Sequence, residues 1–171
     1  MKILLLSGKM SIMKIQPPAA SDPMASNNRT GGISRLLVAG QLVLLASLAV
    51  TAAWPGPGGL GLILAGGALG GWALAAMPLR QLRLVPEVHC GGRLVRTGPY
   101  QWIRHPMYSA VLLVTFGLLA TNPAPVRLAM GLALALLLVA KLVREEKLLQ
   151  SAYPDYAAYQ ALTWRLVPWI W

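Results

Sequence analysis

Tyr100, Arg104, His105 and Tyr108 cluster just ahead of one apolar stretch, and Glu145 and Glu146 stand side by side just after another. An imidazole changes charge near neutral pH. A guanidinium offers carboxylates and phosphates a planar fork, and aromatic faces attract cations. The chain has only five acids, so two adjacent carboxylates form a concentrated anionic site. Together these groups suit a small ligand that carries charges of both signs. His105 and Glu146 are candidate bases, with Arg104 beside them as a candidate catalytic cation.

The order Arg104-His105-Pro106 adds a second feature. Proline is favoured at the first helical position, where its missing N–H costs nothing. The free N–H groups and the positive dipole end of that helix would then lie beside Arg104 and His105, a place suited to a carboxylate or phosphate. Each residue also has a plainer explanation. Arg104 could be a positive flank touching lipid phosphate, His105 a hydrogen-bonding anchor, and the acids a solvated helix end. Lys141 precedes Glu145 by one helical turn and could pair with it on one face. Tyr153, Tyr156 and Tyr159 recur at roughly helical spacing, a pattern that more often serves packing than ligand contact. Two histidines and the single Cys90 leave no set of ligands for a metal site and no intramolecular disulfide.

These clusters must be held by membrane helices. The 171 residues are 56% hydrophobic and only 12% charged, and the mean hydropathy is +0.58. A soluble domain of this size would carry about 25% charge. The fold class expected is all-α and integral to the membrane. About four spans fit the length, at 33–53, 58–77, 106–121 and 126–143, the third being short. Trp54-Pro55-Gly56-Pro57 joins the first two spans and Thr121-Asn122-Pro123-Ala124-Pro125 the last two, giving two helical hairpins. Residues 33–79 form the first hairpin, 80–105 a connector carrying the cofactor motif, and 106–143 the second hairpin. Residues 144–171 form a C-terminal helix with an interfacial tail anchored by Trp164, Trp169 and Trp171.

Orientation follows from the basic residues. With four spans, every lysine and arginine except Arg127 falls on one side, which is expected to be cytoplasmic together with both termini. In a bacterium the membrane would be the inner one. The net charge of +10 is then topology signal and attraction to anionic lipid, and nucleic acid is not an expected partner. Gly66, Gly67, Gly70 and Gly71 form two small-residue pairs at helical spacing that should let another helix of the bundle approach closely. Residues 1–32 are expected to be a disordered leader. Met10, Met13 and Met24 are alternative starts, so this leader need not be translated.

Several of these residues match one family in order. Leu94-Val95, Thr97-Gly98-Pro99-Tyr100, Arg104-His105-Pro106-Met107-Tyr108, Glu145-Glu146 with Leu149, and Tyr156 and Tyr159 before Arg165 and Pro168 resemble the isoprenylcysteine carboxyl and phosphatidylethanolamine N-methyltransferases of membranes. The resemblance implies S-adenosylmethionine as methyl donor. It implies a cofactor pocket lined by Gly92, Arg93, Leu94, Val95, Tyr100, His105, Pro106, Met107, Tyr108 and Glu145. Lys141 stands where prenylcysteine enzymes have a substrate-binding arginine, and it and Arg165 are the candidate substrate contacts. Gly92 replaces a histidine of those enzymes, and Ala110 and Tyr153-Pro154 also depart from the pattern.

The function expected is methyl transfer to an oxygen, nitrogen or sulfur of a lipophilic molecule, lipid or lipidated carboxylate drawn from the bilayer. No obligate protein partner is implied. Two other classes keep the same spans. One is a non-catalytic membrane protein, such as a transport subunit or assembly factor, against which the lack of a mid-membrane acid counts. The other is a related membrane reductase, for which no Gly-x-Gly-x-x-Gly fingerprint is present.

Overall fold

A computed structural model describes residues 23–77 and 94–169, except the side chains of 23–31. The described residues are helical, with no strand among them: α1 (Pro23–Val50), α2 (Pro57–Ala76), α3 (Pro106–Thr121), α4 (Pro125–Ala152) and a short α5 (Tyr156–Leu162). A single 3-10 turn spans Gly98–Gln101. Each α-helix from α1 to α4 begins on a proline, because the fixed φ and missing N–H suit that position and no other helical one.

Three segments are long and apolar enough to cross a membrane: Gly32–Val50, Pro57–Ala76 and the helix Pro125–Ala152. The fourth, α3, has 16 residues and is about 24 Å long at 1.5 Å per residue, short of a hydrocarbon layer of about 30 Å. It is apolar but well covered, with Ser109, Ala110, Thr115 and Gly117 buried. Leu42, Val43, Leu64, Leu132 and Leu136 on α1, α2 and α4 are exposed, as expected of lipid-facing surfaces.

α1 differs from its expected start. It begins at Pro23, so residues 23–32, read from composition as part of a disordered leader, are helical. Once an apolar span has nucleated a helix, each added residue gains a hydrogen bond at little extra cost. Residues 1–22 lie outside the described residues. At the other end, the C-terminal helix expected within 144–171, ahead of an interfacial tail, is divided. α4 runs on to Ala152, Tyr153-Pro154 breaks it, and α5 is only 7 residues long. Proline cannot continue a helix.

The two short turns reverse the chain as expected, but the closest packing is α2 on α3 and α1 on α4. Glycine explains the first pair. A Cβ at Gly66 would lie 2.7 Å from the Ala110 carbonyl oxygen, and one at Gly117 would lie 2.7 Å from that of Gly59. Gly70 also faces Ala110, whereas Gly67 and Gly71 face open space. Only half of the expected glycine face is therefore used within the bundle. Leu48, Leu134 and Leu138 form the centre of the core, with Leu44, Leu45 and Tyr108 packed against them.

Arg127, the one basic residue expected on the opposite side, is buried. It is 3% exposed and its guanidinium donates to the carbonyls of Leu48, at 3.1 Å, and Leu118, at 2.6 Å. It also donates to the hydroxyls of Thr51 and Thr121. The last turns of α1 and α3 leave carbonyls without helical partners, and a cation satisfies them and complements both dipoles.

Candidate active site

The start of α3, the end of α4 and the C-terminal segment converge on one polar cluster. Backbone pairing brings the C-terminal segment in. Trp164 N–H donates to Trp102 O at 2.9 Å, Arg104 N–H to Trp164 O at 2.7 Å, and His105 N–H to Arg165 O at 3.1 Å. The Ser109 hydroxyl adds a bond to Leu166 O at 2.6 Å. Residues 102–105 are thereby fixed before α3 begins.

Glu146 anchors the inner layer. Its Oε1 accepts from Arg104 Nε at 2.8 Å and its Oε2 from Arg165 Nε at 3.0 Å. His105 Nε2 lies 3.6 Å from Oε1. Arg104 also donates to the carbonyls of Gln160 and Thr163. Both side chains of the Arg104–Glu146 pair are nearly buried, at 9% and 5% exposure. A buried ion pair of this kind needs its remaining donors and lone pairs satisfied, and here the α5 carbonyls do so.

This geometry corrects one expectation. Arg104 and the N–H groups at the head of α3 were to receive a ligand carboxylate. Instead the guanidinium is engaged by Glu146 and the carbonyls of Gln160 and Thr163, and the Tyr108 and Ser109 N–H groups at the head of α3 by the His105 carbonyl.

Glu145 forms the outer layer. The Tyr108 hydroxyl donates to its Oε2 at 2.7 Å, and His105 Nδ1 is 3.8 Å from the same oxygen. The His105 and Tyr108 rings are stacked, 5.4 Å between centres and 3° between planes. With 28% of its side chain exposed, Glu145 is far more accessible than Glu146.

Three tyrosines close the inner side. Tyr100, Tyr156 and Tyr159 are buried, and Tyr159 donates to Tyr100 O at 2.7 Å. Burial, helped by the Glu145 charge, pushes the Tyr100 phenol up to about 12. Burial, helped by Glu146, raises that of Tyr156 further. Both therefore stay protonated donors across the physiological range. The hydroxyls of Tyr100 and Tyr156 and Nε2 of His105 are buried without a hydrogen-bond partner, and such groups are costly to leave unpaired. All three belong to the same cluster, where a polar ligand could satisfy them.

Other expected residues fall around this centre. Pro106 is buried and Met107 half-buried on the first turn of α3, and Leu94 and Val95 are half-buried ahead of the 3-10 turn. Gly92 and Arg93 lie outside the described residues. Lys141 does not pair with Glu145. It is 6% exposed, donates to Gln41 Oε1 of α1 at 2.7 Å, and sits 5.1 Å from the centre of the Tyr108 ring. In the sequence Gln41 is a polar residue within the first apolar span. A polar residue inside an apolar helix usually faces a partner within the bundle, and that was the available signal. Among the described residues, no group of three or more His, Cys, Asp or Glu side chains is arranged to hold a metal ion.

The fold and the site together define a class. Residues 58–156 match the phospholipid methyltransferase family, and the chain belongs to it. With its apolar helices, this makes it an integral membrane protein. It is also similar to the cobalt-zinc-cadmium resistance protein CzcN of Cupriavidus metallidurans, 38% identical over 86 residues. That match covers 47% of this chain and 40% of the relative, so the chain spans well under half the relative's length. No solved structure matches.

Proposed function

We propose that the protein binds S-adenosylmethionine in the polar cluster and methylates a lipophilic acceptor from the bilayer at the cytoplasmic face. Membership of the phospholipid methyltransferase family supports methyl transfer to a lipid-like molecule. The observation that carries the donor assignment is the partly exposed Glu145 carboxylate, oriented by Tyr108 and His105 in a cluster with buried hydroxyls that lack partners.

The donor supplies an electrophilic methyl group on a positively charged sulfur. Glu145 suits its amino group or ribose hydroxyls. The faces of Tyr100 and Tyr108 suit a sulfonium or an adenine ring. Tyr100, Tyr156 and His105 offer hydrogen bonds that the fold leaves unused. Arg104 and Glu146 act as positioning residues, because they lock the start of α3 to α4 and α5. Leu94, Val95 and Met107 contribute apolar lining beside them.

On the acceptor side, Lys141 lies deeper along α4 than Glu145, within the apolar part of the bundle, and is suited to the polar end of a lipophilic acceptor. A carboxylate or thiolate acceptor needs no strong base, so positioning and exclusion of water would supply most of the catalysis. An amine acceptor must lose a proton, and His105 is the base placed to take it. Calorimetric titration of S-adenosylmethionine and S-adenosylhomocysteine into detergent-purified protein tests the donor site. Micromolar binding that Glu145→Ala abolishes is the expected result. No binding to a folded, monodisperse sample, in detergent and in nanodiscs, refutes it.

A further inference from the structure

We propose that α1, which precedes the family-matched residues, completes the site through Gln41. Gln41 acts as a positioning residue that holds Lys141 away from Glu145, and this inference rests on the donor-binding reading above.

Lys141 and Glu145 are one turn apart on α4, the spacing at which oppositely charged side chains normally meet. They do not meet here. The Lys141 ammonium is turned to Gln41 Oε1 at 2.7 Å and lies over the Tyr108 ring. Glu145 is left to Tyr108 and His105. A buried ammonium in apolar surroundings is costly without an acceptor. Gln41 is the acceptor the fold provides, and as a neutral amide it holds the charge without cancelling it.

The approach of the two helices is built for this contact. Gly40, adjacent to Gln41, faces α4, where a Cβ would stand 3.1 Å from Leu137 Cδ1. Leu44, Leu45 and Leu48 of α1 pack into the core that also supports Tyr108. α1 is thus in register with the site over several turns. Without the Gln41 acceptor, Lys141 is free to turn to Glu145, one helical turn away on α4. An ion pair there would occupy the carboxylate and displace the cationic part of the donor.

The test is a double-mutant cycle on the full chain in detergent, read as S-adenosylmethionine affinity by calorimetry. Gln41→Met should weaken binding about tenfold, a loss of about 1.4 kcal/mol. In the Lys141→Met background the same substitution should change affinity by less than about twofold, because no ammonium remains to compete. Gln41→Glu should restore near-normal binding, since it still holds the ammonium. A general packing defect would weaken binding equally in both backgrounds, and that result overturns the proposal. So does an unchanged affinity in Gln41→Met. If Gln41→Met does not fold, Gln41→Ala replaces it in the same cycle. Failure of the wild type to bind the donor refutes the donor reading and this inference with it. Wild-type binding without coupling refutes this inference alone.

Discussion

The hydroxyl of Tyr108, on the first turn of α3, donates to Oε2 of Glu145, near the end of α4, at 2.7 Å. This bond joins two clusters that an entire helical hairpin separates in sequence. It fixes the one accessible carboxylate of the site while leaving its second oxygen for a ligand. Tyr108→Phe should keep the fold and the ring stacked on His105. It should weaken S-adenosylmethionine binding about tenfold to a hundredfold, the range expected for one hydrogen bond to a charged group. Calorimetry on the purified variant reads this directly, and unchanged affinity would remove Tyr108 from the site.

Arg104 and Glu146 should show a different signature. Both are nearly buried and bonded to each other. Removing Glu146 leaves Arg104 a buried cation without its carboxylate, and removing Arg104 leaves Glu146 with Arg165 as its remaining arginine; breaking a buried pair costs about 3–5 kcal/mol. Glu146→Ala and Arg104→Met should therefore each lower the midpoint of thermal unfolding sharply. The double variant should lose less than the sum of the two. Additive losses would show that the pair does not act as a unit.

Arg127 should matter for stability alone. It ties the ends of α1 and α3 to α4 at the end of the bundle away from the site. Arg127→Met removes the donor shared by two carbonyls and two hydroxyls and should cost about 3 kcal/mol. Donor affinity of the folded fraction should stay normal. A stable variant with weakened binding would contradict this division of roles.

The two glycine faces of α2 give a steric test. Gly66→Ala places a methyl group 2.7 Å from a backbone oxygen of α3 and should destabilise by about 1–3 kcal/mol. Gly67→Ala meets open space and should be neutral or slightly stabilising, because alanine favours the helix. Thermal unfolding of the two variants side by side decides it. Equal effects would mean that α2 and α3 do not pack as described.

The sequence by itself determined the kind of protein. Apolar runs of fixed length allow little but membrane helices, because an unpaired backbone group in lipid is too costly. Pro106 marked the start of α3, because the first helical turn tolerates proline, whereas Pro57 and Pro125, read as turn residues, open α2 and α4. The ordered motifs from Leu94 to Pro168 carried the family resemblance. Partnerships between helices were not legible, since many registers bury apolar faces equally well. Only the tertiary structure turned Lys141 from Glu145 to Gln41, buried Arg127 between helix ends, and engaged Arg104 with Glu146 and α5. Each of these follows from the cost of a cation away from water: it takes whichever acceptors the packed helices bring within about 3 Å, and those acceptors lie far away in sequence.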